Sequence, residues 1–196
     1  MESYQKEMRV IGGKLKNRKI NFPKNTKTRP LKDSVRENIF NILMHSNTID
    51  IDFETLNVLD LYAGSGSFGI ECHSRAASNI IFVERDLDAL INLKKNINNF
   101  NLSKNSKIIS KDIDSFFNDE ILKHNKKFNI IFLDPPYKDN KFINYLKVIK
   151  EKNLLEKKHI LIIHRELKSK DNLQKYLNIV ENRIYGRSEI FFCKIS

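Results

Sequence analysis

Cysteine is scarce in this chain. Cys72 and Cys193 stand far apart, and neither lies in a CxxC or Cys/His ligand spacing. That arithmetic argues against a zinc site and against a disulfide framework, and both thiols are expected to serve as small buried apolar side chains. Long apolar runs are missing too. None approaches the roughly 20 residues that span a bilayer, and the polar stretch Met1 to Arg9 lacks the apolar centre of a secretory signal. A cytoplasmic protein is expected. Repeats and low-complexity linkers are absent as well, so 196 residues suit one domain with a small appendage and suffice for a full core. His73 and His164 have no nucleophile or metal-ligand spacing near them in sequence, and they are expected to pack or to face solvent rather than catalyse.

Acidic residues are few where basic ones gather. The formal net charge is +11, and from Lys6 to Arg36 there are 11 basic side chains against only Glu7 and Asp33. A local excess of this kind suits an anionic partner through counterion release and long-range attraction, although lysine-rich surfaces also serve solubility alone. Within it, Arg9 to Ile20 reads as a short hairpin or bent strand pair, with Gly12-Gly13 supplying a bulge or turn. Beyond Pro23 and Pro30, Asp33 is placed to cap a helix on which Val35, Ile39, Ile42 and Leu43 recur at helical spacing, with Arg36 and Glu37 on other faces. Residues 1–50 are therefore expected to form a basic extension and residues 51–196 the main domain.

From Asn57 the pattern changes to β-branched runs alternating with helical stretches, as in a parallel sheet covered on both faces. Strands are predicted at Val58–Tyr62, Ile80–Glu84, Ile108–Lys111, Ile130–Asp134 and Ile160–His164. Helices are predicted at Phe68–Ala77, Leu87–Phe100, Ile113–Leu122 and Lys141–Lys152. Ile179–Tyr185 and Glu189–Ile195 flank Gly186-Arg187-Ser188 as an antiparallel hairpin, giving a seven-stranded, mostly parallel α/β sheet of Rossmann-like type.

Chemistry concentrates at the strand ends. Val58 to Tyr62 runs into Ala63-Gly64-Ser65-Gly66-Ser67-Phe68-Gly69, a GxGxxG turn opening a helix. The first glycine is expected to allow the tight turn, the second to let a ligand approach the backbone, and the third to bring helix and strand together. NAD and FAD sites share this geometry. Two acids shift the balance: Asp60, inside the strand, would repel a pyrophosphate but attract a cationic group, and Glu84, ending the second strand, can accept ribose hydroxyls. Asp112, ending the third, is placed for an adenine amine. An amino acid at one end and adenosine at the other would satisfy all three acids, and S-adenosylmethionine is such a molecule.

Asp134-Pro135-Pro136-Tyr137 ends the apolar run Ile130 to Leu133, at the lip where open α/β sheets bind ligands. Two consecutive prolines make the backbone stiff, extended and poor in donors. What remains is a set of acceptors beside an aromatic face, suited to a planar amine-bearing ring. The plainer alternative is an acidic turn between strand and helix.

Together, Asp60 to Gly66, Glu84 and Asp134 to Tyr137 resemble the class I methyltransferases that modify exocyclic amines. The resemblance extends through Arg9-Val10-Ile11-Gly12-Gly13, Arg29-Pro30, Val35-Arg36-Glu37, Phe40-Asn41 and Tyr185-Gly186 to the bacterial RsmD family, which methylates N2 of a guanine in small-subunit ribosomal RNA. Where that family usually has threonine after Arg-Pro, this chain has Leu31. The resemblance implies S-adenosylmethionine held by Asp60, Ala63, Gly64, Ser65, Gly66, Glu84 and Asp112. It implies amine hydrogens accepted by Asp134 and Pro135 in the turn stiffened by Pro136, with Tyr137 stacked on the base. Arg9, Lys14, Lys16, Arg18 and Arg29 are expected to grip RNA phosphates, and Arg36 to do so or to hold the extension by an ion pair. Competing readings are an N6-adenine or N4-cytosine methyltransferase, a dinucleotide-dependent oxidoreductase, and a catalytically silent RNA-binding assembly factor.

Overall fold

The computed structural model describes residues 8–23, 31–120, 126–136, 139, 141–169 and 171–195. Seven strands, β1 (Asn57–Leu61), β2 (Asn79–Glu84), β3 (Ser106–Ser110), β4 (Phe128–Leu133), β5 (Leu155–Glu166), β6 (Asn178–Tyr185) and β7 (Ser188–Lys194), form one sheet in the order β3-β2-β1-β4-β5-β7-β6. The first five run parallel, and β7 is antiparallel to both β5 and β6. The predicted fold class and C-terminal hairpin are therefore observed. The chain moves outward from β1 to β3 and then returns to place β4 on the other side of β1, so the carboxyl ends of β1 and β4 flank a topological switch point.

Strand side chains alternate between two apolar layers because successive residues point to opposite faces. Val58, Ile130, Phe132 and Ile162 face one layer with helices α1 (Asp33–His45), α2 (Ser67–Ser74) and α3 (Leu87–Asn99). Leu59, Ile131, Leu133 and Ile163 face the other with the short α4 (Ile113–Ser115) and α5 (Phe142–Glu151). Cys72 and Cys193 are both free and fully buried, and burial pushes the Cys193 thiol up to about 12. Among the described residues no helix is long and apolar enough to cross a membrane.

One expectation is refined and three are corrected. Arg9 to Ile20 folds back as a hairpin, with an antiparallel bridge between Arg9 and Lys19, Val10 N donating to Arg18 O (3.0 Å) and Ile20 N to Met8 O (2.9 Å), but it forms no continuous strand pair and turns through one tight helical turn at Gly13–Leu15. Donors of its turn go to α2, Ile11 N and Gly12 N to the Glu71 carboxylate (2.8 and 2.7 Å) and Leu15 N to Ser74 Oγ (2.9 Å). Asp33 does not cap α1. Lys32 holds that position, and the Asp33 carboxylate accepts from Arg36 Nη2 at 3.1 Å. Arg36 lies on the buried face of α1, fully enclosed, with its guanidinium donating to the Arg9 carbonyl and 3.8 Å from Glu71. The helix expected over Ile113–Leu122 ends at Ser115 and widens into an i→i+5 turn over Phe116–Glu120, which drives Phe116 and Phe117 into the second layer; the end of that expected helix lies outside the described residues.

Candidate active site

A cleft of about 1330 Å³ opens over the carboxyl ends of β1 to β5. Its floor is the loop after β1. Ala63 N donates to Val83 O (3.0 Å) and Gly66 N to Ala63 O (2.8 Å), folding the loop back before α2 begins. Gly64 (φ +57°) and Gly66 (φ +80°) both hold the left-handed conformation, but their surroundings differ. A Cβ on Gly66 would lie 2.4 Å from Leu93 Cδ1, whereas one on Gly64 would meet nothing within 4 Å and would project where the cleft is open. The backbone over which a ligand can pass closely is thus that of the first glycine, not the second, and the second packs against α3. Ser65 is buried, its hydroxyl on Met8 Sδ and its carbonyl held by Asn96 Nδ2 at 2.9 Å.

Of the carboxylates that line this space, four are those the sequence singled out. Asp60 is 1% exposed and accepts from Gly69 N at 3.0 Å; burial, helped by the charges of Asp134 and Glu84, pushes its carboxyl well above the usual range. Glu84 takes Gly64 N on Oε2 (2.7 Å) and the amides of Arg85 and Asp86 on Oε1 (2.7 and 2.8 Å). It therefore braces the glycine loop as well as lining the cleft, a duty its sequence position did not reveal. Asp112 caps α4, accepting from Ser115 N (2.8 Å) and Ser115 Oγ (3.0 Å), and these bonds hold it below the usual carboxylate range. The fourth is Asp134.

Asp134 follows β4 directly. Its Oδ1 lies 2.7 Å from Nδ1 of His164, a buried residue of β5. The contact was not anticipated, since 30 residues separate the two, yet the strand pattern held a signal. β4 and β5 pair in parallel with Leu133 opposite Ile163, so the next residue of each strand stands beside the other. Pro135 is buried, while Pro136 is exposed and its carbonyl accepts from Asp139 N at 2.8 Å. Tyr137 lies outside the described residues. Sequence reasoning also missed Tyr62, whose hydroxyl donates to Asp139 Oδ2 (2.8 Å), and Phe22, Leu31 and Arg187, which also line the cleft.

The basic residues are dispersed differently. Arg9, Lys14 and Lys16 are exposed, and Arg18 lays its guanidinium 4.7 Å from the Phe100 ring centre while donating to Asn99 O at 2.6 Å. Arg29 lies outside the described residues. Arg36, being buried and ion-paired, takes the structural alternative and cannot reach a phosphate.

This set of acceptors suits a ligand with a cation at one end. Asp60 is a buried acid whose enclosure a neighbouring positive group would offset, Gly64 leaves backbone uncovered, and Glu84 and Asp112 keep lone pairs beyond those used by amides. A Rossmann-like sheet with an antiparallel end, a glycine loop after β1, an acid closing β2 and Asp-Pro-Pro after β4 defines a class I methyltransferase, a class that draws its methyl group from S-adenosylmethionine.

The family model described as "Conserved hypothetical protein 95" matches residues 8–194, and the chain belongs to that family, the RsmD methyltransferases. YlbH of Bacillus subtilis (strain 168) is 36% identical over 159 residues, covering 81% of this chain and 83% of the relative. Ribosomal RNA small subunit methyltransferase D of Haemophilus influenzae (strain ATCC 51907 / DSM 11121 / KW20 / Rd) is 30% identical over 161 residues, covering 82% and 79%. Among solved structures, yhhF from Escherichia coli superposes with a TM-score of 0.78 at 24% identity, covering 97% of this chain and 98% of that one. HI0767 from Haemophilus influenzae gives 0.76 at 24% identity, covering 97% and 99%. These superpositions speak for the fold.

Proposed function

We propose that the protein methylates the exocyclic N2 amine of a guanine in small-subunit ribosomal RNA, with free rRNA or an assembling small subunit as its cytoplasmic partner. Relatives named for small-subunit rRNA methylation support the RNA, and the basic extension suits its phosphates. The observation that carries the amine is Asp134, an acceptor held by His164 at the edge of the cleft, beside a proline pair that offers carbonyls and no N–H. S-adenosylmethionine, when bound, supplies an electrophilic methyl group on a sulfonium. Asp60 would hold its amino end, the Gly64 backbone and Ala63 its middle, Glu84 its ribose and Asp112 its adenine. The N2 amine is a weak nucleophile because its lone pair is delocalised into the ring. Asp134 and the Pro135 carbonyl accept its two hydrogens, which favours a pyramidal nitrogen and stabilises positive charge as it develops. Tyr137 stacks on the base and orients the attack. A paired guanine hides this amine, so the base enters unpaired or flipped.

Incubation with labelled S-adenosylmethionine and either 16S rRNA or 30S particles, followed by nucleoside mass spectrometry, tests the reading. N2-methylguanosine as the product is expected; methylated adenine or cytosine, or no transfer to either substrate, overturns it.

The segment over residues 8–23 acts in this reading as an RNA-gripping extension. Replacing Lys14 and Lys16 together by alanine is expected to weaken RNA binding and to flatten its salt dependence by about 0.7 in log–log slope for each phosphate no longer neutralised. Affinity for S-adenosylmethionine is expected to hold. Filter binding across a salt series measures the slope, and an unchanged slope removes these two side chains from the interface.

A further inference from the structure

We propose that His164 is a positioning residue for the methyl transfer: its Nδ1–H occupies Oδ1 of Asp134 and thereby turns Oδ2 toward the amine. The inference rests on the reading of Asp134 as the amine acceptor.

A carboxylate has no hydrogen to give, so in this contact Nδ1 carries the proton and Oδ1 accepts it at 2.7 Å. The imidazole is itself fixed, its side chain 8% exposed against 26% for Asp134. The histidine thus belongs to the wall and the aspartate to the opening. The next residue of β5 holds the same turn from the opposite face of the sheet. Arg165, 1% exposed, donates from Nη1 to Pro136 O at 3.3 Å, pairs through Nε with Asp171 at 2.5 Å, and lies 4.5 Å from the Phe142 ring centre. With Pro136 held from one side, and φ fixed at two successive prolines, the backbone of the turn has little freedom left. The torsion of the Asp134 side chain is what the turn does not determine, and His164 determines it. A shift of even about 1 Å in a reacting group can cost on the order of a hundredfold in rate, which is why this torsion matters to turnover and not merely to packing.

The chemistry of two amides separates positioning from bulk. The side-chain amide of asparagine can stand near Nδ1 of the histidine it replaces, whereas that of glutamine reaches toward Nε2. With the full chain, S-adenosylmethionine and the rRNA substrate, His164→Asn is expected to stay within about threefold of the native kcat. His164→Gln and His164→Leu are expected to lose about ten- to a hundredfold in kcat with calorimetric affinity for S-adenosylmethionine unchanged. In the Asp134→Ala background, His164→Gln should cost almost nothing more, because the two residues act as one unit. Asparagine no better than glutamine, losses that track cofactor affinity, or additive effects in the double variant would each overturn the proposal. Should His164→Leu fail to fold, the asparagine-to-glutamine ratio alone decides. The two readings fail separately: an active Asp134→Ala enzyme removes the amine-acceptor role, while an inactive one alongside a fully active His164→Gln enzyme removes only His164.

Discussion

Asp134→Ala is expected to lower kcat on RNA by about 10²- to 10³-fold, in the range seen when one preorganised electrostatic partner of a transition state is deleted. The upper figure corresponds to about 4 kcal/mol of barrier. The loss should fall on turnover rather than on cofactor binding, because Asp60 and Glu84 are held in place by Gly69 N and Gly64 N and not by contact with Asp134. Folding should lose about 1–3 kcal/mol, the cost of leaving the buried His164 Nδ1–H without its acceptor, and no more, since the Asp134 side chain is 26% exposed and stands past the carboxyl end of β4 rather than among the apolar layers. Single-turnover transfer from labelled S-adenosylmethionine, with calorimetric affinity and thermal midpoint measured alongside, checks all three statements. Near-native turnover would show that the amine hydrogens go elsewhere, and a loss of cofactor affinity equal to the loss of rate would make Asp134 part of the cofactor site instead.

Much of this architecture was legible before the structure because burial leaves a periodic trace. Ile80 to Val83 and Ile130 to Leu133 are continuous apolar runs, as strands covered on both faces must be, and Val58 to Leu61 is one broken only by Asp60; all three lie inside the sheet rather than at its edges. The first half of β5 left no such trace. Its residues 155–159 include Glu156, Lys157 and Lys158 and are largely solvent-facing, so the strand seemed to start at Ile160 when it starts at Leu155. What was hidden in the site was hidden for one reason: polar side chains that meet across long sequence separations carry no local periodicity. His164 reads as an isolated histidine until β4 and β5 are set in register. Arg36 reads equally as a phosphate contact or as one half of an ion pair until Glu71, on a different helix, is brought beneath it. The glycine loop shows the same division. Its positive φ values followed from the residue type, but which glycine lies under open cleft and which under Leu93 depends on where α3 crosses.

Glu71→Ala is expected to rank with the most destabilising single substitutions among the described residues. The carboxylate is fully buried, accepts Ile11 N and Gly12 N, and pairs with Arg75 at 3.1 Å and Arg36 at 3.8 Å. Burial lowers the pKa of the Arg36 guanidinium, and the charges of Glu71 and Asp33 oppose that shift. Deleting Glu71 leaves two amide donors without their acceptor and a buried cation with a single counterion. Breaking a buried pair in this way costs about 3–5 kcal/mol, against a total of roughly 5–15 kcal/mol for a typical domain. A fall in thermal midpoint on the order of 10 °C follows for a chain of this size. Hydrogen exchange should rise first at Ile11 and Gly12, because the carboxylate that accepts their amides is gone. Replacing both partners, Glu71→Leu with Arg36→Met, is expected to recover part of the loss, since apolar residues of similar volume often stand in for a buried ion pair without penalty. The recovery should stop short of native by about 1–3 kcal/mol for each of the two amides still unpaired. A single Glu71→Ala variant melting within about 2 °C of the native protein would mean that residues 8–20 are held by their apolar contacts and by Ser74, and that the ion pairs beneath them add nothing to the fold.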